Sequence, residues 1–182
     1  MTTFYLVRHA HAEWRVDETQ SLSARGREDA DLVAGILQAY PITHIYASPY
    51  RRAAETLEPL AARLDLPIEE LSALRERRLA GEKVDDFPGA VEAAWRDPTF
   101  AHPGGETNAA AQQRGVAAIL ELQEQYPAAH IVLGTHGNLL ALSLQHFDPS
   151  FDYAFWQALT IPDIYRLSFA QSGSAIVRRL WE

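Results

Sequence analysis

Three short clusters hold side chains that can handle phosphate: Arg8-His9-Ala10-His11, Ser48-Pro49-Tyr50-Arg51-Arg52 and Thr135-His136-Gly137-Asn138. A neutral imidazole is a nucleophile or a hydrogen-bond partner, and it titrates near neutrality. A guanidinium is a permanently charged planar fork that matches the oxygens of a phosphoryl group. Neither type is diagnostic alone. An isolated arginine is usually a solvated surface charge, and an isolated histidine at a strand end usually makes a structural hydrogen bond. These clusters are informative because each follows a short apolar run. Ligands of open α/β sheets bind beyond the carboxyl ends of the strands. Three such ends can bring His9, His136, Arg8 and Arg52 together, beside helix starts whose free N–H groups also attract anions. The combination implies an anion pocket suited to a phosphoryl group. His44, His102, His130 and His146 have no such company and read as structural or surface residues.

The elements that would position these clusters are visible in the hydrophobic pattern. Thr3–Val7 and His130–Leu133 are continuous apolar runs, as in strands covered on both faces, and His44–Ala47 is a third. Ala30, Val33, Ala34 and Leu37 recur with helical spacing after Leu22-Ser23, and Pro41 closes that helix. Ser48 as N-cap and Pro49 at the first helical position start the next helix, with the stripe Ala53, Leu57, Leu60, Ala61 and Leu64. Leu66–Leu71 reads as an edge strand. Thr107 caps a long helix with Val116, Ile119 and Leu120 inward, ending before Pro127. Gly137–His146 is apolar nearly all round. Ile164–Phe169 and Ala175–Leu180 flank Ser172-Gly173, a hairpin signal. This order predicts an α/β fold: a three-layer α/β/α sandwich with a mainly parallel sheet. Residues 75–105 break the pattern with Pro88, Pro98, Pro103 and Gly104-Gly105, and one short helix is expected around Ala90–Arg96. They read as a small cap insert within a single domain, 1–182.

Composition excludes several functions. The net charge of −8 argues against nucleic-acid or anionic-membrane partners, which need a basic field. With no cysteine there is no disulfide, Fe–S cluster, thiol nucleophile or Cys-zinc site. The apolar stretch Phe4–Val7 stops at Arg8-His9, too short for a signal peptide, and no run is long enough for a membrane span. The expected location is the cytoplasm. Oligomeric state is not legible.

The clusters resemble a known family in chain order. Leu6-Val7-Arg8-His9-Ala10 is similar to the Arg-His-Gly/Ala signature of the histidine phosphatase superfamily, the phosphoglycerate-mutase-like fold. Leu22-Ser23-Ala24-Arg25-Gly26 resembles its Leu-Ser-x-x-Gly turn, and Ser48–Thr56 its Ser-Pro-x-x-Arg-Ala-x-x-Thr stretch. Leu74-Arg75-Glu76 resembles its Leu-x-Glu acid motif, Pro103–Thr107 its Pro-Gly-Gly-Glu-Ser segment, and Thr135–Asn138 its second-histidine motif. The resemblance implies a phosphatase that acts on a small phosphorylated substrate without cofactor or metal. His9 would be the nucleophile, transiently phosphorylated, and Arg8, Arg52 and His136 would hold the equatorial oxygens, with Gly137 beside them. His9 would be neutral and His136 a hydrogen-bond donor. Glu76 would protonate the leaving oxygen and then activate water, with Glu82 as the local alternative. His11 and Arg15 would extend the pocket toward the rest of the substrate.

The departures favour hydrolysis over mutase chemistry. Arg15 stands where the mutases carry an asparagine, and the stretch Asp17–Gln20 is abbreviated. Between Glu82 and Gly105 the basic residues are Lys83 and Arg96, with no adjacent arginine pair. A phosphoglycerate-mutase-type phosphotransferase is therefore disfavoured. So is a catalytically idle phospholigand-binding module, because every catalytic type is present. A metal-dependent hydrolase built on His9-x-His11 and His136 would need a longer barrel.

Overall fold

A computed structural model describes residues 1–13, 19–170 and 173–182. The central strand β1 (Thr3–Arg8) is buried on both faces. The strand period of two sends Phe4 and Leu6 into one core and Tyr5 and Val7 into the other. The neighbours of β1 are β4 (His130–Thr135), parallel, and β5 (Asp163–Phe169), antiparallel. With β2 (His44–Ala47), β3 (Ile68–Glu70) and β6 (Ala175–Arg179) they form one six-stranded sheet in the order β3-β2-β4-β1-β5-β6. The four strands from β3 to β1 run parallel.

Helices α1 (Ala24–Leu37) and α2 (Arg51–Leu64) cover one face through Val33, Ala34, Leu37, Leu57 and Leu60. Helices α4 (Asn108–Gln125) and α5 (Gly137–Phe147) cover the other through Ile119, Leu122, Leu140 and Leu144. This is the expected three-layer arrangement with a mainly parallel sheet. Helix α5 must be apolar nearly all round because it is enclosed: Gly137 to Leu144 are all buried. Within 75–105 lies α3 (Phe87–Arg96), three residues longer at its start than the pattern suggested, because the Asp86 side chain caps it on the Gly89 N–H. A short α6 (Tyr153–Ala158) was not legible. None of its residues is fully buried, and its six residues are too few to show a helical period.

Two local expectations are corrected. Ser48 is not an N-cap: α2 starts at Arg51, and the Ser48 hydroxyl lies 2.8 Å from His136 Nε2 instead. Leu120 does not face inward but is 45% exposed. The buried stripe of α4 runs through Ala111, Gly115, Ala118 and Leu122, and Leu120 lies two residues from the last pair, on the far side. The helix expected to open at Leu22-Ser23 is present as α1, capped by Ser23 on the Gly26 N–H at 3.0 Å.

Gly26 is required by packing. A Cβ there would collide with the backbone carbonyl of His11, which itself accepts from the Ser23 N–H at 3.0 Å. The chain leaving β1 thus lies against the start of α1 with no room for a methyl group. Gly26→Ala should destabilise the protein by about 1–3 kcal/mol. The expected readout is a lower urea midpoint at unchanged m; an unchanged midpoint would show that this contact yields without cost.

Candidate active site

The carboxyl ends of β1, β2 and β4 meet where the first three clusters sit. Pairing of β1 with β4 continues one residue further, since the His9 N–H donates to Thr135 O at 3.0 Å. His9 Nδ1 lies 2.8 Å from the carbonyl of Ala10. A carbonyl only accepts, so Nδ1 carries the proton and Nε2 carries the lone pair. The backbone just beyond is pinned to α2: the Ala10 N–H donates to Thr56 Oγ1 at 2.9 Å, and Thr56 Oγ1 donates to Arg52 O at 2.7 Å. Thr56 is one helical turn from Arg52, which explains the spacing of that motif. Glu55 adds a second tie, accepting from the Leu22 N–H at 2.7 Å and from Arg51 Nε at 2.6 Å.

Arg52 bridges the two histidines. Its Nε donates to His9 Nε2 at 3.1 Å, and its Nη2 lies 3.3 Å from His136 Nδ1. The imidazoles stand 5.2 Å apart at 65°. Guanidinium nitrogens only donate, so both pocket-facing ring nitrogens are unprotonated. The donor of His136 is its Nε2–H, directed at Ser48 Oγ. His136 was expected to donate toward the anion; here its Nδ1 accepts from Arg52. The Ser48 hydroxyl both donates and accepts, so it can serve either tautomer. The Tyr50 ring, which sequence reasoning missed, lies 4.7 Å from the Arg52 guanidinium carbon and 4.8 Å from the His136 ring. Its only signal was its position inside the second cluster.

Burial decides the charge of both rings. His9 is pushed down to about 3, chiefly by burial and further by Arg52 and Arg8, against a smaller opposing effect of its bond to Ala10. His136, fully buried, is held well below the ordinary imidazole range by burial, then by His9, Arg52 and Arg8. Both are neutral at pH 7, and the positive charge of the site resides on its arginines.

Arg8 is oriented from the opposite side. Its Nη1 donates to Leu159 O at 3.0 Å and Thr160 O at 3.2 Å. That turn is held by the fully buried Asp163, which accepts from the Thr160 N–H at 3.0 Å and pairs with Arg179 at 2.9 Å. Arg8 Nε is buried without a partner among the described residues, a costly state that an anionic oxygen would relieve. Gly137 makes room for it: a Cβ there would lie 2.9 Å from Arg8 Cζ and Nε.

Glu76 reaches the same corner from below. Its Oε1 accepts from the Arg77 and Leu139 N–H groups at 2.8 and 3.0 Å, and its Oε2 from the Asn138 N–H at 3.0 Å. It is therefore half-buried at the N-terminus of α5, two residues beyond His136, rather than paired on the surface. Of the neighbouring arginines, Arg78 donates to Ala80 O and Gly81 O and Arg75 is exposed, whereas Arg77 is buried close enough to interact with the Glu76 charge. Glu82 is exposed on the following loop. His11 is exposed and bonded to Ser23 Oγ at 2.8 Å, and it acts on the cluster through a minor electrostatic effect on His9. Arg15 lies outside the described residues. Asn138 is committed to the fold, its Oδ1 accepting from Trp95 Nε1 at 2.9 Å. Among the described residues, no group of three or more His, Asp or Glu is arranged to hold a metal ion.

The chain belongs to the histidine phosphatase superfamily, branch 1, whose family pattern matches residues 4–181. It is 32% identical over 158 residues to a glucosyl-3-phosphoglycerate phosphatase of Mycobacterium tuberculosis, covering 75% of this chain and 70% of that protein. An uncharacterized protein of the same organism is 42% identical over 79 residues, which make up 42% of this chain but 37% of that relative's length. The solved structure of a mycobacterial glucosyl-3-phosphoglycerate phosphatase with VO3 superimposes with a TM-score of 0.79 at 27% identity, covering 99% of this chain and 98% of the other.

Neutral buried histidines make stability depend on pH. Each binds its proton more readily in the unfolded chain, near 6.5, than in the folded one. Their contribution is complete above about pH 6.5 and is lost as pH falls toward the folded values. Between pH 6.5 and 5, in phosphate-free buffer, His9→Gln should flatten the fall in unfolding free energy by up to about 1.4 kcal/mol per pH unit. Denaturant titrations at several pH values measure this, and parallel slopes for the two proteins would show that His9 is not held neutral by the fold.

Proposed function

We propose that the protein is a phosphatase that hydrolyses small phosphomonoesters through a phosphohistidine on His9. The observation that carries this reading is the direction of the His9 ring: Nδ1–H is spent on Ala10 O, and Nε2 presents a lone pair where Arg52 already donates. In the reaction Nε2 attacks phosphorus, the ester P–O bond breaks, and the leaving oxygen takes a proton. Water then attacks the phosphohistidine, releasing phosphate and restoring the neutral ring. Arg52 gives its N–H groups to the equatorial oxygens, joined by Arg8 Nε and by His136, which donates from Nδ1 once Ser48 serves its Nε2. Gly137 keeps that volume open. Glu76, protonated at the Oε2 position its three backbone donors leave free, supplies the proton and retrieves one from water; it is the acid group adjoining the helix start that follows His136. The charge stabilisation comes from arginines, so the reaction needs neither metal nor cofactor.

Several features support water rather than a second substrate as acceptor. Between Glu82 and Gly105 no two arginines are adjacent to hold a second anionic group, and Arg96 is paired with Glu92 at 2.8 Å. The relatives named for glucosyl-3-phosphoglycerate point to a small phosphorylated substrate. We further read 1–182 as one domain, with 75–105 as its cap, and the cytoplasm as its location. The match over residues 4–181 and the absence of a membrane-spanning helix among the described residues support both. His11 and Arg15 contact the distal part of the substrate in this reading.

Leaving-group chemistry tests the assignment of Glu76. An alkyl phosphate expels a basic alkoxide and needs a proton, whereas p-nitrophenyl phosphate expels a stable phenolate. Glu76→Gln should lower alkyl phosphate hydrolysis by about 10²–10⁴-fold. The pre-steady-state burst of p-nitrophenolate, which reports phosphorylation of His9 alone, should persist. Equal losses in both would remove Glu76 from the proton-donor role and transfer attention to Glu82.

A further inference from the structure

A short piece of backbone ahead of Glu76 is held in an unusual way. Three consecutive carbonyls, those of Ala73, Leu74 and Arg75, all accept side-chain hydrogen bonds. Thr135, at the end of β4, donates to Leu74 O at 2.9 Å. Arg114, on α4, donates from a single nitrogen, Nη1, to Ala73 O at 2.6 Å and Arg75 O at 3.0 Å. Its other two nitrogens form a bidentate pair with Glu106, Nε to Oε1 at 2.9 Å and Nη2 to Oε2 at 2.8 Å. Glu106 closes the loop from the other side, its N–H donating to Arg78 O at 2.7 Å. The stretch from Ala73 to Arg78 is thereby fixed on both flanks of Glu76.

We propose that Arg114 and Glu106 are positioning residues that hold the Glu76 carboxylate in register with the leaving oxygen; this rests on the reading of Glu76 as proton donor. A rigid, planar fork is what the geometry demands. One face of the guanidinium must meet a carboxylate while the remaining nitrogen spans two carbonyls, which a lysine ammonium cannot reproduce. Stability is a poor explanation for the pair. Both side chains are partly exposed, 22% for Arg114 and 26% for Glu106, and ion pairs in such settings add little. Position matters more than pairing energy here. A displacement of about 1 Å at a catalytic group costs up to about 10²-fold in rate. Glu106 also joins the end of the insert to the loop that carries the acid. Gly81 N donates to Pro103 O at 2.8 Å beside the same crossing, so a shift of the insert is transmitted to Glu76.

The test uses leaving groups and a double-mutant cycle on the intact chain. Arg114→Met should lower alkyl phosphate hydrolysis by about 10- to 10²-fold, leave the p-nitrophenolate burst within about twofold, and leave KM for the aryl ester unchanged. Arg114→Lys should recover part of the alkyl rate. Added to Glu76→Gln, Arg114→Met should cause no further loss, because both act through one carboxylate. If Arg114→Met does not fold, Glu106→Gln provides the same comparison with the volume kept. Multiplying losses in the double variant, or equal losses with both leaving groups, would overturn the positioning role while leaving the acid assignment intact. A Glu76→Gln enzyme insensitive to the leaving group would overturn the acid assignment and the positioning role together.

Discussion

Arg52 can donate to His9 Nε2 and to His136 Nδ1 at once only while both nitrogens are unprotonated. That requirement organises the site. Two imidazoles are placed 5.2 Å apart in a buried pocket containing Arg8 and Arg52, where a protonated ring would be both desolvated and repelled. Neutrality is thus imposed by the environment, and it leaves a lone pair aimed at the place where the guanidinium N–H groups converge. The buried Nε of Arg8, unpartnered among the described residues, adds a second reason for an anion to bind there. An entering phosphoryl group exchanges ring nitrogens for charged oxygens as partners of Arg52, so both donor and acceptor are then ionised.

Most of the scaffold serves to keep that geometry. Sheet order brings the ends of β2, β4 and β1 side by side, so residues far apart in the chain meet within one hydrogen bond. Each reacting residue is then fixed from outside the pocket. Thr56 ties the backbone after His9 to α2, Ser48 holds the far nitrogen of His136, and the turn built on Asp163 holds Arg8. Two glycines clear space where backbone or guanidinium must approach: Gly26 under His11 and Gly137 beside Arg8.

Much of this was legible in the sequence, for a physical reason. Buried parallel strands are continuous apolar runs, so Thr3–Arg8 and His130–Thr135 announced themselves, and the clusters at their ends followed from the rule for sheet edges. Long helices with a caught cap, such as that started by Thr107, were equally clear. What the sequence withheld were partnerships between distant side chains. Ser48-Pro49 has the form of a helix start, and nothing local reveals that its hydroxyl is 2.8 Å from a histidine 88 residues away. Leu120 looked inward because a leucine in a helix usually is, yet the buried stripe of α4 runs through Ala111, Gly115, Ala118 and Leu122 and leaves it on the far side. Nothing in the sequence around Glu76 shows that three backbone N–H groups take its carboxylate, two of them from the start of α5 more than 60 residues away. Asp163 and Arg114 gave no signal, since each acts only through the loop it fastens.

The central claim is that His9 Nε2 becomes covalently bonded to phosphorus. It is tested most directly by mixing enzyme with a substrate labelled in its phosphoryl group, quenching in alkali within the first turnover, and mapping the label by digestion. Alkali preserves a P–N bond that acid would cleave. The account predicts label on His9, at Nε2, appearing and decaying at rates compatible with turnover. Label on His136, or full turnover with no protein-bound phosphoryl group at any time, would contradict it.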